Sequence, residues 1–179
     1  MILRKINAVL SLITTLLLVD HALFFSAWMI SGGSIPVSSR AMPWVLAGLM
    51  VAHAAISIFC LLLGSEDEEE RKVKHYFKLN KSTLFQRITG ALVVLLLAVH
   101  VTSAAGNFQP KLLHAVVQPL FFAAALAHVS VSVSKALITL GIGTAKVIKI
   151  VDLVMKVFCI AVAVFGIAGL YCYLFVGAV

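Results

Sequence analysis

Residues 83–104 read TLFQRITGALVVLLLAVHVTSA, and this stretch decides what kind of fold the chain has. After Arg87 it has no charged residue, and residues 91–99 are all apolar. An apolar stretch of about 20 residues has the length of a membrane-spanning helix. A histidine inside such a stretch, here His100, is costly in lipid unless it faces protein, water or a ligand. The stretch therefore predicts a membrane helix with one functional face.

The composition of the whole chain is that of an integral membrane protein. The chain has 179 residues, of which 62% are apolar, and a mean hydropathy of +1.11. Apolar stretches long enough to span a membrane occupy residues 6–30, 41–63, 83–105, 112–134 and 153–176. The first stretch follows Arg4 and Lys5 as a signal peptide would, but it is too long and contains Asp20 and His21. We therefore predict an all-α fold, a single transmembrane domain over residues 1–179.

The distribution of basic residues predicts the orientation in the membrane. With the N-terminus inside, all of the 14 Lys and Arg residues except Arg40 and Lys111 lie on the inner side. The positive-inside rule therefore predicts an inner N-terminus and an outer C-terminus. This bias also accounts for the net charge of +7, so no nucleic-acid partner is needed to explain it.

The loops and the last span have simpler expected roles. Residues 65–81 form a long charged segment on the inner side, which is either a solvated loop or a surface where soluble partners dock. Residues 135–156 are amphipathic with two central glycines, and we expect them to be an inner-surface connection. The last span has no histidine, so we expect a helix that packs against a bundle of the first four.

Each of the first four spans carries a histidine well inside it: His21, His53, His100 and His128. Two imidazoles can clamp one b-type haem, so four predict two haem b groups. At 1.5 Å per residue, His21 and His100 lie roughly 15 and 9 Å below the outer surface, and His53 and His128 roughly 16 and 12 Å from the inner one. These depths pair His21 with His100 and His53 with His128. Because His21 and His53 both lie near mid-membrane, those two can be exchanged.

Four further residues are candidates for the site. Gly90 lies about 15 Å to the inner side of His100, where a missing side chain allows either a porphyrin or a neighbouring helix to approach. Arg87 and Lys135 are candidates for neutralising haem propionates, or for anchoring the chain at the lipid headgroups. His114 lies shallow on the outer side, where it can contact a propionate or a quinone, or be a plain interfacial histidine.

The spacing from Thr89-Gly90 to His100 resembles the third helix of the cytochrome b subunit of succinate:quinone oxidoreductases. The chain is most similar to their single-subunit, five-helix, dihaem anchors, found in menaquinone-linked fumarate reductases and succinate dehydrogenases. Those proteins place one haem ligand on each of the first four helices and pair helix one with three and two with four. The resemblance implies that His21, His53, His100 and His128 bind two haems.

The same resemblance implies a setting for the protein. Such an anchor lies in the cytoplasmic membrane of a prokaryote, among membrane lipid, and binds a flavoprotein subunit and an iron–sulfur subunit at its inner face. It passes electrons between the iron–sulfur clusters and menaquinone or another quinone, carries out no dicarboxylate chemistry, and allows a dimer of complexes. The chain departs from the family at two positions linked to proton transfer and quinol binding. Leu126 stands where some members have a glutamate, and residues 41–44 have no carboxylate where some members have one.

Two other functions fit the sequence. The first is the haem b subunit of another respiratory complex, of the nitrate reductase, formate dehydrogenase or heterodisulfide reductase type. The second is a haem-free membrane scaffold or transporter. Covalent c-type haem is excluded because no Cys-x-x-Cys-His occurs, and the three cysteines stand apart within apolar segments.

Overall fold

The computed structural model describes residues 2–35, 41–62, 81–105 and 111–176, without the side chains of residues 103–105 and 111–115. Over these residues it contains helices and no strand. The helices are α1 (Ile2–Ile30), α2 (Met42–Leu62), α3 (Lys81–Ala105), α4 (Lys111–Leu140) and α5 (Ala145–Tyr171), and α5 continues as a π-helical turn at Cys172–Val176. All five are long and apolar enough to cross a membrane, which confirms the prediction of an all-α, five-span, multi-pass membrane protein.

The connection between α4 and α5 is much shorter than the sequence predicted. Helical structure runs on from Lys135 to Leu140 and resumes at Ala145, so only residues 141–144 of the expected surface segment over residues 135–156 are non-helical. No glycine or proline lies between Lys135 and Leu140 to end α4 earlier. A helix also satisfies its own backbone hydrogen bonds near lipid. Gly141 and Gly143 then adopt φ of +74° and +94°, which only glycine reaches without strain. Thr144 caps α5, its hydroxyl accepting from the Val147 N–H.

The first four helices form a ring in chain order, and α5 packs outside it. In the described part of the chain, α4 packs against α1, α3 and α5, and α1 also packs against α2 and α5. Contacts between α2 and α3 are sparse. Helix α1 therefore lies opposite α3, and α2 lies opposite α4. This arrangement agrees with the expected bundle of four helices and a fifth packing helix.

Apolar side chains from the ring fill one core, and a second core holds α5. The first is formed by α2, α3 and α4, from Leu46, Met50, Val93, Leu97, Phe121 and Ala125. The second joins α4 to α5, through Leu126, Val129, Cys159 and Val162. Large apolar side chains on the outer faces stay exposed in the isolated chain, as lipid-facing residues do. The bundle is therefore apolar on its outer surface as well as in its cores.

Glycines bring α5 close to its neighbours. A Cβ added at Gly166 would overlap a ring carbon of Phe122 on α4. At Gly169 it would lie 3.0 Å from both the Cα and the carbonyl oxygen of Ser26 on α1. Membrane helices commonly pack through such small residues, because dispersion contacts replace the hydrophobic effect there.

Candidate functional site

The four intramembrane histidines lie on the four helices of the ring, one on each, and all four are partly buried. His21 and His100 are close enough to interact electrostatically. His53 and His128 are likewise close enough to interact electrostatically. Each pair spans two opposite helices, α1 with α3 and α2 with α4. The structure therefore brings together the histidines that depth paired, and their role as haem ligands stays a prediction.

His21 and His100 line one cavity of about 200 Å³ within the ring. Its walls are mostly apolar side chains from all four helices, among them Trp44 and Phe121. The ring of His100 stacks on Phe121, with centroids 5.2 Å apart and planes at 21°. A largely apolar cavity with two imidazoles suits a flat apolar cofactor held by its metal.

One nitrogen at this cavity lacks a partner. The Nδ1 atom of His21 is buried and has no hydrogen-bond partner among the described residues. Phe25 packs on the same ring, with centroids 4.6 Å apart, and offers no acceptor. Buried polar atoms are nearly always paired, so an orphan of this kind points to a group that the described protein does not supply.

The histidine on α4, which is inner in the predicted orientation, is fixed by the backbone of α3. His128 Nδ1 lies 3.1 Å from the carbonyl oxygen of Gln86. A carbonyl oxygen can only accept, so Nδ1 carries the proton and Nε2 keeps its lone pair. The hydroxyl oxygen of Thr89 lies 3.3 Å from the same Nδ1 and bonds the carbonyls of Phe85 and Gln86. Metal-binding histidines are typically held in this way, with the second nitrogen donating to an oxygen.

The inner histidine on α2 is held by a side chain of α1. His53 Nδ1 lies 2.9 Å from Asn7 Oδ1, and Asn7 Nδ2 donates to Ser57 Oγ over 2.9 Å. An amide oxygen accepts, so His53 also carries its proton on Nδ1. Both inner histidines therefore present an unprotonated Nε2.

Gly90 contacts the ring of His128. A Cβ at this position would lie 3.0 Å from Cε1 and 3.3 Å from Nδ1 of that ring. The missing side chain is therefore what lets His128 reach the Gln86 carbonyl. The sequence predicted space for a porphyrin or a close helix at Gly90, and the structure shows a close approach of α4, whose His128 ring occupies that space. The porphyrin contact stays a prediction.

The charged candidates differ in position. Lys135 is partly buried, donates from Nζ to the Thr83 hydroxyl over 2.8 Å, and is close enough to His128 to interact electrostatically. Arg87 is exposed. His114 lies in α4, but its side chain is outside the described residues, as are Arg40 and most of residues 65–81. The predicted roles of these groups are therefore untested.

Sequence reasoning missed Asn7 and Gln86 as partners of the inner histidines. Asn7 could have been noticed because an amide one turn inside an apolar span needs a partner. Gln86 could not, because it acts through its main-chain carbonyl, which every residue has.

The outer pair lines an apolar cavity, as a bis-histidine haem requires, and the inner pair supplies two imidazoles. Among the described residues, no group of three or more His, Cys, Asp or Glu could hold a bare metal ion. A haem iron held by two imidazoles needs only the pair, because the porphyrin supplies its other ligands. Comparison of the chain with protein-family models, curated proteins and solved structures gives no match.

Proposed function

We propose that this chain is the dihaem membrane anchor of a succinate dehydrogenase or fumarate reductase complex, and carries electrons between iron–sulfur clusters of a partner and a membrane quinone. One observation carries the proposal: each helix of the ring carries one histidine, with His21 and His100 lining one cavity and His53 and His128 close enough to interact electrostatically. The resemblance of residues 89–100 to the third helix of such anchors supports the choice among haem proteins.

Each pair of histidines would hold one haem b. His21 and His100 would bind the outer haem at the cavity that they line, and His53 and His128 would bind the inner one. When bound, such haems exchange single electrons, and their potentials depend on the axial ligands, hydrogen bonding and burial. The acceptors on Nδ1 of His53 and His128 would hold both rings in place and leave the lone pair of Nε2 available to an iron.

The remaining site residues would tune charge and exclude water. Lys135 is the better candidate for an inner propionate, because its ammonium is partly buried and close to His128. Arg87 is exposed, so a propionate contact there competes with anchoring at lipid headgroups. Gly90 has no side chain, so the His128 ring can approach the α3 backbone. The apolar walls around His21 and His100 keep water from the outer site.

The partners follow from the proposed orientation. A flavoprotein subunit and an iron–sulfur subunit would dock at the inner side, near residues 65–81. Two stacked haems are useful chiefly when electrons must cross the membrane, so the quinone, menaquinone or another, would bind near the outer haem. His114 would contribute there, because imidazole exchanges protons with water near neutral pH.

Affinity purification of the tagged chain in mild detergent tests the proposal. We expect a b-type absorbance spectrum, with a flavoprotein and an iron–sulfur protein identified by mass spectrometry, and succinate- or fumarate-linked quinone activity. Co-purification of nitrate reductase or formate dehydrogenase subunits instead would assign the chain to another respiratory complex. A preparation without haem would leave the scaffold or transporter function.

A further inference from the structure

Asn7 bridges two side chains of the neighbouring helix. It lies on α1 near the inner end, and its amide contacts His53 and Ser57, which are one helical turn apart on α2. Both distances are 2.9 Å, and each joins residues at least 46 positions apart in sequence. Asn7 therefore links the orientation of the His53 ring to the packing of α1 on α2.

The orientation of this amide decides which nitrogen of His53 can bind a metal. With Nδ2 on Ser57, the Oδ1 atom faces His53 and accepts the proton of Nδ1, which leaves Nε2 with its lone pair. With the amide reversed, Nδ2 would donate to Nδ1, and the proton would move to Nε2. A protonated Nε2 must give up its proton before it can bind iron, so this tautomer disfavours ligation. The choice of tautomer is thus made by a residue on another helix.

We propose that Asn7, anchored by Ser57, is a positioning residue that keeps His53 in the Nδ1–H tautomer and tunes the inner haem. The inference rests on the proposed ligation of that haem by His53. A hydrogen bond from Nδ1–H to an oxygen makes the imidazole a stronger donor to the metal. Stronger donation stabilises ferric iron, so the Asn7 contact lowers the reduction potential of the inner haem.

The hydrogen bond between Asn7 and His53 can be removed by a side-chain substitution, whereas the one between Gln86 and His128 cannot. His128 is held in the same tautomer by the main-chain carbonyl of Gln86, which no ordinary substitution removes. Asn7→Leu removes the acceptor of His53 at similar volume. Asn7→Asp keeps an acceptor oxygen in place and serves as the conservative variant. Thr14→Val is the control, because Thr14 is buried on the same helix and its hydroxyl bonds the Leu10 carbonyl of that helix.

The first measurement is ¹⁵N NMR of the full-length chain labelled at histidine, before haem is added. We expect the Nδ1–H tautomer for His53 in the wild type, in Asn7→Asp and in Thr14→Val, and its loss in Asn7→Leu. Ser57→Ala leaves the amide free to turn and should give a mixture of tautomers, which covers the case in which Asn7→Leu does not fold. An unchanged His53 tautomer in both Asn7→Leu and Ser57→Ala would overturn the inference.

The second measurement is a redox titration of the haem-loaded complex. In Asn7→Leu we expect the midpoint potential of one haem to rise and that of the other to stay, whereas Thr14→Val shifts neither. Unshifted potentials in Asn7→Leu would overturn the tuning role. Failure of the wild-type chain to bind any haem would instead contradict the proposed function, and the tautomer result would still decide whether Asn7 positions His53.

Discussion

The Nδ1 atoms of the histidines are where the inner and outer sites can be compared most directly. At the inner pair the protein supplies an oxygen to each Nδ1, from Gln86 for His128 and from Asn7 for His53. At the outer pair, Nδ1 of His21 is buried without a partner among the described residues. Aromatic rings pack on both outer histidines. The inner imidazoles are therefore oriented by hydrogen bonds, and the ring of His21 by packing.

Single histidine substitutions should sort into two pairs. We expect His21→Ala and His100→Ala to lose one spectral component, and His53→Ala and His128→Ala to lose the other, because each haem needs both of its imidazoles. Low-temperature absorbance and redox titration of purified complexes would resolve the components. Loss of the same component from His21→Ala and His128→Ala would show that the pairing is wrong.

Gly90→Ala should disturb the inner site selectively. The new methyl would lie 3.0 Å from Cε1 of His128, so the ring must shift and its bond to the Gln86 carbonyl weakens. Overpacking of this kind costs about 1–3 kcal/mol. We expect lower retention of the inner haem, measured by absorbance per protein. Gly48→Ala is the matched control, since nothing lies within 4 Å of its Cβ position, and equal losses in both variants would contradict the account.

At the scale of the elements, polar contacts fix how α3 and α4 meet. Lys135 donates to the Thr83 hydroxyl, and the Gln86 side chain donates to the Ser132 hydroxyl. From the first contact to the second, the position moves three residues forward along α3 and three residues back along α4. One helical turn after Gln86, Gly90 lies against His128. Polar groups inside a membrane bundle seek partners across helices, and each such bond contributes about 0.6 kcal/mol on average. This register holds His128 opposite the carbonyl that orients it.

The fifth helix should depend on a small residue at its contact with α1. Gly169→Val would push a branched side chain against the Ser26 backbone, which cannot move aside as a flexible side chain can. We expect about 1–3 kcal/mol of destabilisation, seen as a lower thermal midpoint in detergent. Gly48→Val supplies the control. A midpoint equal to that of the control would mean that α5 does not pack on α1 as described.

The sequence predicted the elements better than the contacts between them. Long apolar stretches specify membrane helices directly, so the five spans could be counted in advance. The depths of His21, His53, His100 and His128 follow from their positions along those helices. The bonds of His53 and His128 could not be predicted, because they depend on rotation about helix axes and, for His128, on a main-chain atom. The short connection between α4 and α5 was not predicted, because α4 does not end near Lys135 as expected but continues to Leu140, just before Gly141.

At the scale of the whole molecule, the two pairs of histidines divide the ring into two sites. The proposed outer site is the cavity with His21 and His100, and the proposed inner site lies between His53 on α2 and His128 on α4. With the proposed orientation, the inner site would face the iron–sulfur partner and the outer site the quinone. Electrons would then cross the membrane through this chain.

His114→Ala should impair quinone turnover and leave both haems in place. The reason is its shallow position on α4, toward the proposed outer quinone site. Quinol-dependent turnover would be compared with haem content in the same preparation, where we expect a reduced rate with two haems retained. Normal quinol kinetics with two haems would remove His114 from the site, and inhibitor density beside the inner haem would move the site itself.

The central claim is that one chain binds two haems, one at each pair of histidines. The pyridine haemochrome assay on the purified complex, with protein quantified by amino-acid analysis, measures this directly. We predict two haem b per chain, falling to one in any single His→Ala variant of the four ligands. A ratio near one would remove one of the two sites, and a ratio near zero would contradict the account.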